Sequence, residues 1–146
     1  MKIVYHPEYL KDYPTASCEC PERISSILES LKEYKILEPE KALEKYIKLA
    51  HSSEHIQWVK THEPEAYEVA LYAAGGAIKT AETALQEPAF GLIRPPGHHA
   101  SRDSAWGFCS FNNMAVSLLT LRESSLIEKA LVLDIDLHFG DGTVDI

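Results

Sequence analysis

Two carboxylates and one imidazole alternate with apolar residues late in the chain. Asp134, Asp136 and His138 follow and overlap the apolar run at residues 130–135, with a spacing of two residues. Side chains two apart in a strand lie on one face, so an extended backbone would bring these groups together. Burying them without partners is costly, and a divalent metal at the carboxyl end of the strand would remove that cost. A solvated strand end before the turn at residues 140–142 is the alternative.

A second polar cluster has the sequence RPPGHHA at residues 94–100 and follows another apolar run. The carboxyl ends of parallel strands share one edge of a sheet, so we expect the two clusters to meet. His98 and His99 are candidates for acid–base catalysis, because imidazole titrates near neutral pH. Each needs a carboxylate to fix its tautomer, and Asp134 and Asp141 are available. An adjacent histidine pair with a structural role is the alternative.

The segments around these clusters alternate between strand-like and helical patterns. Predicted strands cover residues 2–5, 46–49, 90–93 and 130–135, and predicted helices begin at Pro21, at Pro39 and at Ser52 or Ser53, and cover residues 65–86 and 113–122. This order predicts an α/β fold whose parallel sheet has helices on both faces, in one domain over residues 1–146. Gly75 and Gly76 interrupt the apolar stripe of the long helix. Each costs roughly 1 kcal/mol relative to alanine, which indicates close backbone packing there.

Composition narrows the class of protein. The 146 residues are 45% hydrophobic, as expected for one compact domain. Fourteen Lys and Arg against 22 Asp and Glu give a net charge of −8, which disfavours direct binding to nucleic acid. Three cysteines are too few for a disulfide-stapled scaffold, and no stretch approaches the ~20 apolar residues of a membrane span. We therefore expect a cytoplasmic protein without a membrane partner.

Three ordered motifs resemble the signatures of the histone deacetylase and acetylpolyamine amidohydrolase superfamily. They are RPPGHHA at residues 94–100, GFCSFN at residues 107–112 and DIDLHFGDGT at residues 134–143. Three motifs in order are far more specific than any one of them, and weaker matches extend the resemblance over nearly the whole chain. The form of the first motif is closer to the class II and acetylpolyamine members. The resemblance implies an arginase/deacetylase-like fold, of which this chain is the N-terminal part.

The resemblance also implies a reaction and a metal. Asp136 and His138 would be zinc ligands, and His98 would be the general base, oriented by Asp134. A monovalent cation would lie near Asp134. Zinc would polarise the acyl carbonyl and acidify a water molecule, and the products would be acetate and a free amine. The substrate would be a small acetylated amine or an acetyl-lysine protein.

The remaining site residues are likewise implied by the resemblance. His99 would be a second imidazole, oriented by Asp141. Gly107 and Phe108 would line the narrow channel for the acylated arm, and Arg23 would lie near an inner cavity. Trp106 is bulkier than the residue usual before the second motif, which affects the expected shape of the channel.

Two alternatives stay open beside a zinc-dependent deacetylase. An arginase-like ureohydrolase with two metals also uses Asp-x-Asp and Asp-x-His ligands, although the adjacent histidine pair argues against it. The other alternative is a non-catalytic fragment that associates with another chain. A third zinc ligand and an oxyanion tyrosine, both implied by the resemblance, do not occur in these 146 residues. We expect the chain alone to be an incomplete deacetylase, with an exposed sheet edge that a second copy could cover.

Overall fold

The computed structural model describes the whole chain, residues 1–146. Its elements are strand β1 (Lys2–Val4), a 3-10 turn (Pro7–Leu10), helix α1 (Glu22–Ser30), strand β2 (Lys35–Leu37), helices α2 (Glu44–Ala50), α3 (Ser53–His62) and α4 (Pro64–Ala84), strand β3 (Ala89–Gly91), and helices α5 (Asn113–Glu123) and α6 (Asp141–Asp145). Helices separate the strands along the chain, which confirms the predicted α/β class. No helix combines the length and the apolar character needed to cross a membrane.

The three strands form one parallel sheet in the order β2-β1-β3. Ile3 in the central strand is paired with Ile36 on one side and with Phe90 on the other. The predicted parallel sheet is therefore confirmed. Strand β2 was not predicted, because it has only three residues and two of them are exposed, so it carries no burial pattern.

The apolar core has two parts that share helix α4. One part joins α4 to α2, α3 and α5 through residues such as Ile47, Val59, Ala70, Ala74 and Val116. The other joins α4 to β1 and α1 through Ile3, Tyr9, Ile24, Val69 and Ala73. Helix α4 is thus buried along most of its length, and it supports both the sheet and α5.

The two glycines of α4 lie where other groups come very close to the helix backbone. A Cβ atom on Gly75 would be 2.0 Å from the backbone oxygen of Glu40, and one on Gly76 would be 2.2 Å from the hydroxyl of Tyr9. Neither approach leaves room for a side chain. The predicted close packing at these glycines is confirmed.

Two predicted elements before α3 are wrong. Residues 46–49 lie in helix α2, not in a strand, because Ile47 and Ala50 are three apart on one helical face and are both fully buried. The chain around Pro39 forms no helix. Its backbone is held instead against α4, where the N–H of Ala42 donates to a carbonyl at 3.0 Å.

The predicted strand at residues 130–135 is also wrong. This segment pairs with no strand, and the side chains of Leu133 and Ile135 are 83% and 90% exposed. The outer edge of β3 stays unpaired, and a segment that does not join such an edge has no partners for its strand N–H and C=O groups. Local bonds form instead, since the N–H of Asp136 donates to Asp134 Oδ1 at 2.9 Å.

Candidate active site

Arg94 anchors the loop that carries the two adjacent histidines. Its guanidinium donates to both carboxylate oxygens of Glu19, at 2.7 and 2.9 Å, and both side chains are buried. It also donates to the backbone carbonyls of Tyr9 and Lys11, at 3.0 and 2.8 Å. A buried charge is tolerated when it is paired and fully hydrogen-bonded in this way. Glu19 had not been predicted to take part, because 75 residues separate it from its partner.

His98 and Asp134 form the first histidine–carboxylate pair. Nδ1 of His98 lies 2.8 Å from Oδ2 of Asp134. Nδ1 carries the hydrogen because its partner is a carboxylate, and Nε2 is left free to accept a proton. The backbone N–H of Asp136 and the His98 ring both donate to this carboxylate and hold the pKa of Asp134 below its usual range. The two polar clusters therefore meet, as their positions after two apolar runs predicted.

His99 and Asp141 form the second pair, and Trp106 joins it. Nδ1 of His99 lies 2.6 Å from Oδ1 of Asp141, and the indole N–H of Trp106 donates to Oδ2 of the same carboxylate at 2.8 Å. These two bonds, the one from His99 being the stronger influence, lower the pKa of Asp141. The rings of His98 and His99 are close neighbours, with centroids 4.0 Å apart.

Asp136 and His138 also lie side by side. Nδ1 of His138 is 3.0 Å from Oδ2 of Asp136, and the His138 backbone N–H donates to the same oxygen at 2.7 Å. The backbone N–H and then the ring bond lower the pKa of Asp136. Oxygen and nitrogen ligands of a tetrahedral zinc lie about 2 Å from the metal and therefore about 3.3 Å from each other. The pair fits two zinc ligands in chemistry and spacing, but nowhere in the chain are three His, Cys, Asp or Glu side chains grouped to hold a metal ion.

Gly107 and Phe108 adopt left-handed backbone conformations beside His99. Their φ angles are 58° and 68°, and a Cβ atom on Gly107 would be 2.4 Å from Cδ2 of His99. Glycine is therefore required at position 107 for two reasons, the backbone angle and the contact with the imidazole. Phe108 is 46% exposed.

A cavity of about 590 Å³ joins these groups. Both adjacent histidines line it, together with Asp136, His138 and Phe108. Arg23 also lies on its wall, and its guanidinium donates to the backbone carbonyl of Cys18 at 3.3 Å. The structure thus gathers every site residue named from the sequence around one region.

His51 and Asn112 are hydrogen-bonded to each other and to the segments that flank the site. The sequence did not predict their contact. Nδ1 of His51 donates to the backbone carbonyl of Ser101, and Nε2 accepts the N–H of Asn112, both at 2.9 Å. The Asn112 side chain begins helix α5 by accepting the N–H of Ala115 and donates to the hydroxyl of Thr143. Burial, reinforced by the neighbouring His55, lowers the pKa of His51 to about 4.

Comparison with known proteins decides the family. The sequence profile of the histone deacetylase domain matches residues 17–146. The chain belongs to the histone deacetylase family. Within it, the chain is 33% identical to a probable deacetylase of Methanothermobacter thermautotrophicus, over 100% of this chain and 50% of the relative. It is 29% identical to the polyamine deacetylase HDAC10 of Rattus norvegicus, over 96% of this chain and 30% of the relative.

A solved structure of the family agrees with the fold. The HD domain of HDA15 superposes on this chain with a TM-score of 0.88 at 26% sequence identity. The superposed region includes 99% of this chain and 48% of the HDA15 chain. The chain therefore spans about half the length of that domain and of the archaeal relative. Of the two hydrolase families considered from the sequence, the match is to the deacetylases.

Proposed function

We propose that this histone deacetylase-family chain provides one half of a zinc-dependent site that hydrolyses an acetyl-amide to acetate and a free amine. One observation carries the proposal: the imidazoles of His98 and His99, each bonded to a carboxylate, line a single cavity together with the Asp136–His138 pair. Two imidazoles held by carboxylates can move a proton onto and away from a reacting group. An adjacent carboxylate–imidazole pair supplies ligands of the type zinc prefers.

His98 serves as the general base in this proposal. Its Nδ1–H is fixed by Asp134, which orients the ring and stabilises the imidazolium that forms when Nε2 takes a proton from water. The carboxylate of Asp134 also accepts the backbone N–H of Asp136. The general base and a candidate metal ligand are therefore both hydrogen-bonded to the same carboxylate. General-base contributions are commonly of order 10²- to 10⁴-fold.

His99 is the second imidazole, with its Nδ1 on Asp141. It is more enclosed than His98, with its side chain 4% exposed against 20%. We propose that it delivers a proton to the leaving amine, or stabilises charge that develops beside it. The 4.0 Å separation of the two ring centroids lets both imidazoles serve one reacting group.

Asp136 and His138 would hold the zinc ion. When bound, zinc would polarise the amide carbonyl and acidify the water that attacks it. The chain offers two of the three protein ligands that a catalytic zinc commonly has. The oxyanion-stabilising tyrosine that the family resemblance implies would come from outside these 146 residues. A monovalent cation near Asp134 is a further proposal from the family resemblance.

The substrate we propose is a cationic or lysine-like acetylated amine. The chain carries a net charge of −8, which favours a positively charged partner. HDAC10 proteins are named polyamine deacetylases, and the Arabidopsis thaliana relatives, 34% and 35% identical, are named histone deacetylases. Acetylpolyamines and acetyl-lysine share the alkyl arm that a narrow channel would receive.

The metal and the reaction are tested separately on the 146-residue chain. Isothermal calorimetry should show one zinc bound weakly, and the double variant Asp136→Ala, His138→Ala should lose that binding. Equal zinc retention by wild type and double variant would refute the ligand assignment. Acetate release by the chain alone should be negligible, because losing one oxyanion donor already costs about 10²- to 10³-fold in kcat. Robust, chelator-sensitive turnover would contradict this expectation.

A second candidate function is association with another polypeptide. Leu131, Leu133, Ile135 and Leu137 are each more than 80% exposed, which is unusual for consecutive alternate apolar residues. A partner, including a second copy, could cover them. Sedimentation of the purified chain should then show concentration-dependent self-association, and a strictly monomeric chain at about 100 μM would count against a homo-oligomer.

A further inference from the structure

Trp106 contacts both members of the His99–Asp141 pair. Its indole N–H donates to Asp141 Oδ2 at 2.8 Å, while Asp141 Oδ1 accepts from His99. The indole and the His99 imidazole are also stacked, with centroids 3.8 Å apart and planes 30° apart. Each of the three side chains, Trp106, His99 and Asp141, therefore contacts the other two.

Packing of the core does not explain a tryptophan at this position. The Trp106 side chain is 56% exposed and belongs to neither core cluster. The other tryptophan, Trp58, is exposed to a similar extent, but its ring stacks on His62 and not on His99. The exposed indole of Trp106 thus contacts two polar groups of the site, Asp141 and His99.

The geometry shows what this contact does. Asp141 is 42% exposed and lies in the first turn of the five-residue helix α6, so little else limits rotation of its carboxylate. The indole N–H fixes Oδ2 and leaves Oδ1 directed at His99. On the imidazole itself, Trp106 covers the ring by stacking, and the edge at Cδ2 lies so near Gly107 that a Cβ atom there would be 2.4 Å away. These two neighbours limit rotation of the imidazole.

We propose that Trp106 is a positioning residue that holds His99 in its Nδ1–H tautomer, through Asp141 and by direct stacking. The inference rests on the proposed function in so far as His99 is the second imidazole of the reaction. The contact itself can be tested without turnover. Removing the indole N–H should release the carboxylate into water and weaken its hold on His99.

The experiment uses the 146-residue chain with ¹⁵N-labelled histidine, whose two-bond ¹H–¹⁵N spectrum reports the tautomer of each ring. Trp106→Phe keeps an aromatic ring for stacking and removes the donor, and Trp58→Phe is the matched control. His51, whose Nδ1 donates to the Ser101 carbonyl, is an internal reference for an intact fold. The ratio of His99 tautomers should shift about tenfold toward Nε2–H in Trp106→Phe, the size a hydrogen bond to a charged group supports, and should stay unchanged in Trp58→Phe.

A second measurement needs no variant at position 106. With ¹⁵N-labelled tryptophan, the indole N–H of Trp106 should exchange with solvent about tenfold more slowly than that of Trp58, and Asp141→Ala should remove the difference. An unchanged His99 tautomer ratio in Trp106→Phe overturns the proposal, and so do equal indole exchange rates in the wild type. Both results are independent of acetate release, so failure of the proposed reaction cannot be mistaken for failure of this contact.

Discussion

Protonation of His51 should destabilise the fold in mild acid. The imidazole is 1% exposed, and it donates through Nδ1 to the Ser101 carbonyl while accepting the N–H of Asn112 at Nε2. A protonated ring carries hydrogen on both nitrogens, so it would face the Asn112 N–H with a second donor. Burial and this lost acceptor both favour the neutral form, in agreement with a pKa of about 4 in the fold.

The direction and size of the effect follow from linkage. An unfolded histidine has a pKa of about 6.5 and the folded one about 4, so the unfolded chain binds the additional proton. The stability that neutral His51 contributes is complete above pH 6.5 and is lost as the pH falls toward 4. Between pH 7.5 and pH 5.0 the two pKa values give a loss on the order of 2 kcal/mol in the free energy of unfolding.

Urea denaturation at the two pH values measures this loss, and a variant isolates the contribution of one histidine. His51→Gln keeps a donor and an acceptor but cannot titrate, so the wild type should lose about 2 kcal/mol more than the variant on going to pH 5.0. His62→Gln, at the exposed end of helix α3, is the matched control and should behave like the wild type. A His51→Gln variant whose pH dependence equals that of the wild type within about 0.5 kcal/mol would refute the assignment of a buried neutral imidazole.

Two further perturbations test the packing around the site. Gly107→Ala should destabilise the chain by roughly 1–3 kcal/mol and displace His99, because φ is 58° and the new Cβ would lie 2.4 Å from the ring; a melting temperature equal to that of the wild type would contradict the contact. Arg94→Met should cost about 3–5 kcal/mol because it leaves the Glu19 carboxylate buried and unpaired, and adding Glu19→Gln should recover part of that loss; additive losses in urea denaturation would show that the pair is not coupled.

Long periodic elements could be predicted from the sequence, and short ones could not. Helix α4 was predicted at residues 65–86 and runs over Pro64–Ala84, because its apolar stripe repeats over several turns. Residues 46–49 have three apolar side chains, as a short strand could, but four residues also fit one helical turn. Burial of Ile47 and Ala50 against α5 decides for the helix, and that contact is not visible in a local window.

Some contacts of the candidate site could be predicted from the sequence, and others could not. The meeting of the two polar clusters was predicted because each follows an apolar run, whereas the pairing of His98 with Asp134 and of His99 with Asp141 was implied by the family resemblance. The hydrogen bond between Trp106 and Asp141 spans 35 residues and depends on how the intervening loop folds back. A single sequence gives no signal for such a contact. The pairing of residues 130–135 was predicted wrongly for a related reason, since a strand depends on its neighbour as well as on its own residues.

The turnover of a polypeptide that joins this chain to the second half present in its relatives tests the central claim most directly. Acetate release from an acetylated polyamine and from an acetyl-lysine peptide is measured for wild type, His98→Ala and the control His62→Ala, with zinc content determined in each. We expect kcat to fall by about 10²- to 10⁴-fold in His98→Ala with zinc content unchanged, and to stay near wild type in His62→Ala. Near-full turnover by His98→Ala would contradict the account.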